Sequence, residues 1–227
     1  MNNENLTKSK VEKLKENLEK LLEFGVSEKE IIEKYEENIL LLKDAELCYW
    51  FAISVKGADL KSHEKVIIES KDPEWNCKFA AYVKGADLKS HEKVIIESKD
   101  PEWNCKFAAY VKGADVKAHG KAVIESKELD WNYKFAKYVK GADVKAHGNV
   151  IIESKDPEWN YKFAKYVKGA DIETHIRIIL KSQNKKYNKF CSDFFGNKYR
   201  IISAYYFIDD ILDERNNEED KSMQKRS

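Results

Sequence analysis

Residues 55–82 read VKGADLKSHEKVIIESKDPEWNCKFAAY, and residues 83–110 repeat that string at all 28 positions. Residues 111–138 and 139–166 are close variants, with Tyr133 and Tyr161 where the first two copies have Cys77 and Cys105. VKGAD opens once more at Val167. A fixed period of this length marks a repeat architecture, in which each copy covers its neighbours' apolar surface. The identity of the first two copies points to recent duplication, so sameness between them carries no functional weight.

Helix punctuation inside a repeat is clear. Asp72-Pro73-Glu74 places an N-cap acceptor, a proline at the first helical position and an acid at the positive helix end, and the triplet recurs at Asp100 and Asp156. The helix it opens carries Trp75, Phe79, Tyr82 and Val83 on one face of a 3.6-residue period, and Gly85 is expected to end it in a left-handed conformation. Asp87 then caps a second helix with Leu88, His91, Ile95 and Ile96 on one side, finishing near Ser98. At about 11 residues, or roughly 17 Å, neither helix can bury its apolar face alone. The fold expected is therefore all-α, an α-solenoid of two-helix repeats with a period of 28 residues, flanked by helical capping elements.

The expected organisation is an N-terminal helical cap over residues 1–43, repeats over 44–182, a degenerate repeat and C-terminal helical cap over 183–214, and a disordered polar tail over 215–227. Lys8 to Phe24 has Val11, Leu14, Leu18, Leu21 and Leu22 on one face with Gly25 behind. Ser27 and Glu30 form a capping box ahead of Ile32 to Leu42, which occupies the place of a histidine-bearing helix. Leu47 to Val55 aligns with the helix that Asp72-Pro73 opens, and Asp44 with the capping Asp72. At the far end Asn184 to Gly196 is a degenerate helix of the same type, followed by a helix from about Tyr199 to Glu214.

Hydrophobic residues make up 42% of the 227 and charged residues 36%, with 9 Gly and 3 Pro, a balance that excludes collagenous, low-complexity and turn-dominated chains. No apolar run approaches the roughly 18 residues of a membrane span, and the N-terminus has no apolar signal core. The expectation is a soluble cytoplasmic protein without a membrane partner. The net charge of +1 conceals an asymmetry: residues 1–54 carry 8 basic and 12 acidic groups, 55–110 carry 10 of each, and 111–194 carry 17 and 11. Cys48, Cys77, Cys105 and Cys191 form no CxxC pair and no zinc-ligand spacing with histidine, so they read as reduced cysteines and no metal or cofactor is expected.

Four features carry candidate chemistry. His63, His91, His119, His147 and His175 recur at one place in every second helix, but stacked helices stand about 8–10 Å apart, too far for equivalent nitrogens to share a metal. A packed, hydrogen-bonded imidazole is the expectation. The acids of DPEW are explained by helix capping and do not converge as a hydrolase pair would. Tyr133 with Lys137 and Tyr161 with Lys165, at i,i+4, could stack bases and neutralise phosphates, or form a solvated outer face. Gly120 and Gly148 replace the glutamates Glu64 and Glu92 inside a helix, at about 1 kcal/mol relative to alanine, through drift at an exposed position or close approach of a partner backbone. No GxGxxG, GxxxxGK[ST], HExxH or GxSxG is present.

The repeat GADxKxHxxVIIESKDPEWNYKFAxxVK resembles short HEAT-like helical repeats in proteins of AT-rich bacteria and their phages, over roughly residues 44–182. The resemblance implies a helical-repeat fold and no defined activity, and its phage setting suggests an inhibitor that clamps a host defence protein. The expected function is non-enzymatic binding of a protein partner along the surface of the histidine-bearing helices, through tips such as Lys117, Lys121, Lys145, His119 and His147, with no catalytic residues. The alternative is nucleic-acid binding by the basic stretch 111–194, with Tyr133, Lys137, Tyr161 and Lys165 as its stacking and phosphate-contacting residues.

Overall fold

A computed structural model describes residues 8–208. It is all-helical, with no strand among the described residues. The chain opens with α1 (Lys8–Glu23), then α2 (Glu28–Ile31), a π-helical turn (Ile32–Glu36) and α3 (Glu37–Leu42). The repeats follow as α4 (Ala45–Ser54), α5 (Leu60–Ser70), α6 (Pro73–Tyr82), α7 (Leu88–Ser98), α8 (Pro101–Tyr110) and α9 (Val116–Ser126). They continue as α10 (Leu129–Tyr138), α11 (Val144–Ser154), α12 (Pro157–Tyr166), α13 (Ile172–Lys181) and α14 (Lys185–Phe195), and residues 197–208 are helical. The expected tail, and the helix end towards Glu214, lie outside the described residues.

The chain divides into two compact units, residues 1–122 and 123–227. In unit 1 the DPEW-type helices α4, α6 and α8 pack on one another in order, and α3, α5 and α7 form a second layer against them. Phe51, Phe79 and Phe107 and the isoleucines Ile67 and Ile95, all essentially buried, fill the space between the layers. The amphipathic α1 covers the start of the stack, with Val11 and Leu18 buried and the Trp50 indole donating to Glu19 at 3.0 Å. Unit 2 repeats the scheme, with α10, α12 and α14 in one layer and α11 and α13 in the other. Its far end is a cluster of Ile176, Ile179, Leu180, Tyr187, Cys191 and Ile202. This is how short helices of an α-solenoid bury their apolar faces.

Capping follows the sequence closely. Asp72 accepts from the backbone N–H groups of Glu74 and Trp75, and Asp100 and Asp156 do the same in their repeats. Asp59, Asp87, Asp143 and Asp171 cap the histidine-bearing helices. Glu128, which replaces the aspartate in one repeat, makes no side-chain cap. One expectation needs correction. The DPEW helix ends at Tyr82, with Val83 already extended, and the left-handed Gly85 (φ +90°) belongs to the turn that follows. The left-handed helix caps are instead lysines at the ends of the other helices, Lys71, Lys99 and Lys155 at φ 55°. There a serine supports the bend: Ser70 Oγ donates to the Ile67 carbonyl at 2.6 Å and accepts from the Asp72 N–H at 3.1 Å.

Candidate functional site

Every histidine of the row is buried, none more than 1% exposed. The most complete arrangement surrounds His91 in unit 1. Asn76, itself fully buried on α6, donates through Nδ2 to the carbonyls of Ile67 and Asp72, both at 2.8 Å, which turns its Oδ1 towards His91. Nδ1–H of His91 donates to that oxygen at 2.7 Å. On the other side Nε2 lies 3.2 Å from the Glu64 carboxylate of α5, and the same oxygen accepts the Asp87 backbone N–H at 2.6 Å. Phe79 lies against the ring, centroids 5.2 Å apart. Three consecutive helices thus meet on one imidazole.

Both ring nitrogens face oxygen acceptors, so the network is satisfied only with a proton between Nε2 and Glu64. Burial holds the His91 pKa below the ordinary histidine value, and the facing Glu64 carboxylate opposes that shift without cancelling it. His119 keeps the same neighbours less tightly: Nδ1–H donates to Asn104 at 2.8 Å and Glu92 accepts the Asp115 N–H at 2.6 Å, but Nε2 stands 3.3 Å from the Glu92 carboxylate without a hydrogen bond to it. His63 keeps Glu36 at 3.1 Å, but Cys48 stands in the asparagine position and His63 Nδ1 has no hydrogen-bond partner among the described residues.

Unit 2 keeps half of this node. His147 and His175 donate to Asn132 and Asn160 at 2.8 and 2.7 Å and pack on Phe135 and Phe163. Their Nε2 atoms have no hydrogen-bond partner among the described residues. Burial pushes both down to about 4, so each ring is neutral at pH 7, with its proton on Nδ1 and a lone pair on Nε2. Gly148 is buried rather than exposed, which removes drift at a solvated position as its explanation. A Cβ built there would stand 3.2 Å from Phe163 Cε1 and 3.6 Å from His175 Nε2. His119 and His147 are thus the packed, hydrogen-bonded imidazoles expected of the row and not the surface tips expected of a binding face; the asparagines hold them inside the repeats.

The lysines Lys117, Lys121 and Lys145 are exposed on the histidine-bearing helices, as expected. Tyr133, Lys137, Tyr161 and Lys165 come together on the outer face of unit 2. Lys137 Nζ donates to the Tyr133 hydroxyl at 2.9 Å and lies 4.8 and 5.1 Å from the ring centroids of Tyr138 and Tyr166. Lys165 donates to the Tyr161 hydroxyl at 3.0 Å and lies 4.5 Å from the Phe194 ring. These hydroxyls hold both ammonium groups above the usual lysine range. Lys134 and Lys162 are paired with Asp130 and Glu158 at 2.6 and 2.7 Å while covering Trp131 and Trp159.

Sequence reading missed two functional groups. One is the buried asparagine of each DPEW helix, the residue that orients the histidine; the signal was an invariable Asn fifteen residues before each of the last four histidines. The other is the exposed tyrosine ending each such helix: Tyr82 and Tyr110 in unit 1, Tyr138 and Tyr166 in unit 2. The four cysteines are buried and unbridged, and burial pushes Cys48 and Cys191 up to about 12 and Cys77 to about 11, so those three thiols are poor nucleophiles. Among the described residues no helix is long and apolar enough to cross a membrane, and no three His, Cys, Asp or Glu side chains gather at a metal-binding distance. No protein-family model, curated protein or solved structure matches the chain.

Proposed function

We propose that the chain is a non-enzymatic helical-repeat protein that binds a protein partner along its repeat surface, through the outer ends of the DPEW helices. The observation behind this is the tyrosine that closes each of those helices, 73% exposed at Tyr82 and Tyr110 and 64% and 48% at Tyr138 and Tyr166. Tyrosine brings a rigid apolar body with a polar tip, at little entropic cost, and is enriched in protein interfaces. One such contact per repeat sums to useful affinity, because later contacts are effectively intramolecular. The lysines beside the unit 2 tyrosines are bonded to hydroxyls or paired with acids, which favours a protein over a phosphate backbone as the occupant. Buried, unbridged cysteines suit a reducing compartment such as the cytoplasm. An inhibitor clamped on a host protein, which the phage resemblance suggests, is one form of this activity.

The test is affinity capture from the native host with the wild-type chain and a variant in which Tyr82, Tyr110, Tyr138 and Tyr166 are all serine. The expected result is a stoichiometric protein band that the variant loses at least about tenfold, with both chains melting at the same temperature. A nuclease-sensitive absorbance at 260 nm without a protein band would replace this reading with nucleic-acid binding. Equal capture by the variant would remove the tyrosines from it.

A further inference from the structure

The tyrosines lie on the outer ends of the helices, whereas unit 2 carries a second feature around His175. In unit 1 the carboxylates of Glu64 and Glu92 each accept a backbone N–H, from Asp87 or Asp115, and face the next histidine. Gly148 stands at the same place in its repeat. The side chain it lacks, cut at the bond between Cα and Cβ, is propionate. Both groups that this side chain would engage are present: neither the Asp171 N–H nor His175 Nε2 has a partner among the described residues. A cavity of about 460 Å³ lies over them, lined by Gly148, Phe163, Gly169, Asp171, Thr174 and His175.

The receiving groups are fixed in advance. His175 is 1% exposed, its Nδ1–H is bound by Asn160 at 2.7 Å, and Phe163 lies against the ring with centroids 4.9 Å apart. Asp171 is held as the N-cap of α13 through Thr174, whose hydroxyl donates to it at 2.6 Å. His147 shares the unpartnered Nε2, but that atom is sealed from solvent; His175 borders the cavity. We propose that unit 2 contains a carboxylate-binding site, in which an external carboxylate takes the place that a repeat glutamate fills in unit 1. It accepts the Asp171 N–H and shares a proton with His175 Nε2. This stands independently of the protein-partner reading, and the carboxylate can belong to an acidic side chain or to a small molecule.

Proton balance gives the site a signature. Free His175 is neutral near pH 7 and a free carboxylate is ionised, so forming the shared hydrogen bond takes up one proton from solvent. Lys145 and Asp171 are the other ionisable groups lining the cavity, one of each sign. Affinity for a carboxylate therefore rises as pH falls from 8 to 6, by up to about tenfold per pH unit.

The test uses the intact chain labelled with ¹⁵N at histidine and titrated at about pH 6 with sodium propionate or with blocked glutamate, N-acetyl-glutamate amide. Propionate is expected to move His175 Nε2 from the bare-nitrogen to the protonated shift range, with a Kd of about 1–10 mM for so small a ligand. Equal or tighter binding of blocked glutamate indicates an acidic side chain as the natural occupant, and binding of propionate alone a small carboxylate. Gly148→Glu supplies the group in cis: Nε2 is expected to move without ligand, propionate to have no further effect, and Tm to rise by about 2–6 °C. The proposal is overturned if Nε2 stays bare at about 100 mM of both probes, or if the propionate-induced shift persists unchanged in Gly148→Glu.

Discussion

Unit 1 and unit 2 are built from the same repeat, yet their histidine nodes are finished differently. Around His91, and less tightly around His119, a glutamate joins the ring to the cap of the histidine's own helix, so three helices are tied at one point. Around His175 the asparagine side is identical, but glycine stands in the glutamate position and the ring borders a cavity. The asparagine is thus the orienting element common to both, and the carboxylate is a separable fastening. One repeat can serve as scaffold with it and as a receptor without it.

The largest expected effect tests what the two units share. Asn104→Ala and Asn160→Ala each strand a buried imidazole N–H and take one of two donors from each of two backbone carbonyls, and each should cost about 3 kcal/mol in urea unfolding. A cost confined to unit 1 would show that glutamate, not asparagine, fixes the ring. Glu64→Gly converts a unit 1 node to the unit 2 type; it loses the Asp87 and His91 contacts and adds a helical glycine, for about 2–3 kcal/mol. No loss of stability in that variant would abolish the distinction between the nodes.

Acid should act mainly through the glycine-type nodes. Unfolded histidine protonates near 6.5, whereas His147 and His175 stay neutral down to about 4, so the unfolded state binds more protons in that window. Stability contributed by the neutral rings is complete above about pH 6.5 and is lost as pH falls towards 4, at up to about 1.4 kcal/mol per pH unit for each histidine. Chemical denaturation at several pH values should show this slope, and Gly148→Glu should shrink it. The smallest effect is a repair: Cys48→Asn offers His63 Nδ1 the partner it lacks and should stabilise unit 1 by about 1 kcal/mol. A loss instead would mean that the larger side chain does not fit where the buried Cys48 does.

Most of the fold was legible because its determinants are local. Asp72, Pro73 and Asp87 start helices by backbone rules that act within three residues. The turn chemistry was less so: Lys99 takes a left-handed φ where glycine is the usual choice, because Ser98 supports the bend from the side. The candidate site was hardest to read. Asn76 looks like any polar residue on a helix, and its role appears only once α5, α6 and α7 are packed, with partners nine and fifteen residues away. Gly148 shows the same limit, since its effect falls on His175.

The most direct test is the imidazole ¹⁵N spectrum of the wild-type chain near pH 6, without added carboxylate. The account predicts a hydrogen-bonded Nε2 at His91 and a bare Nε2 with protonated Nδ1 at His175. Matching Nε2 shifts at the two rings would contradict it.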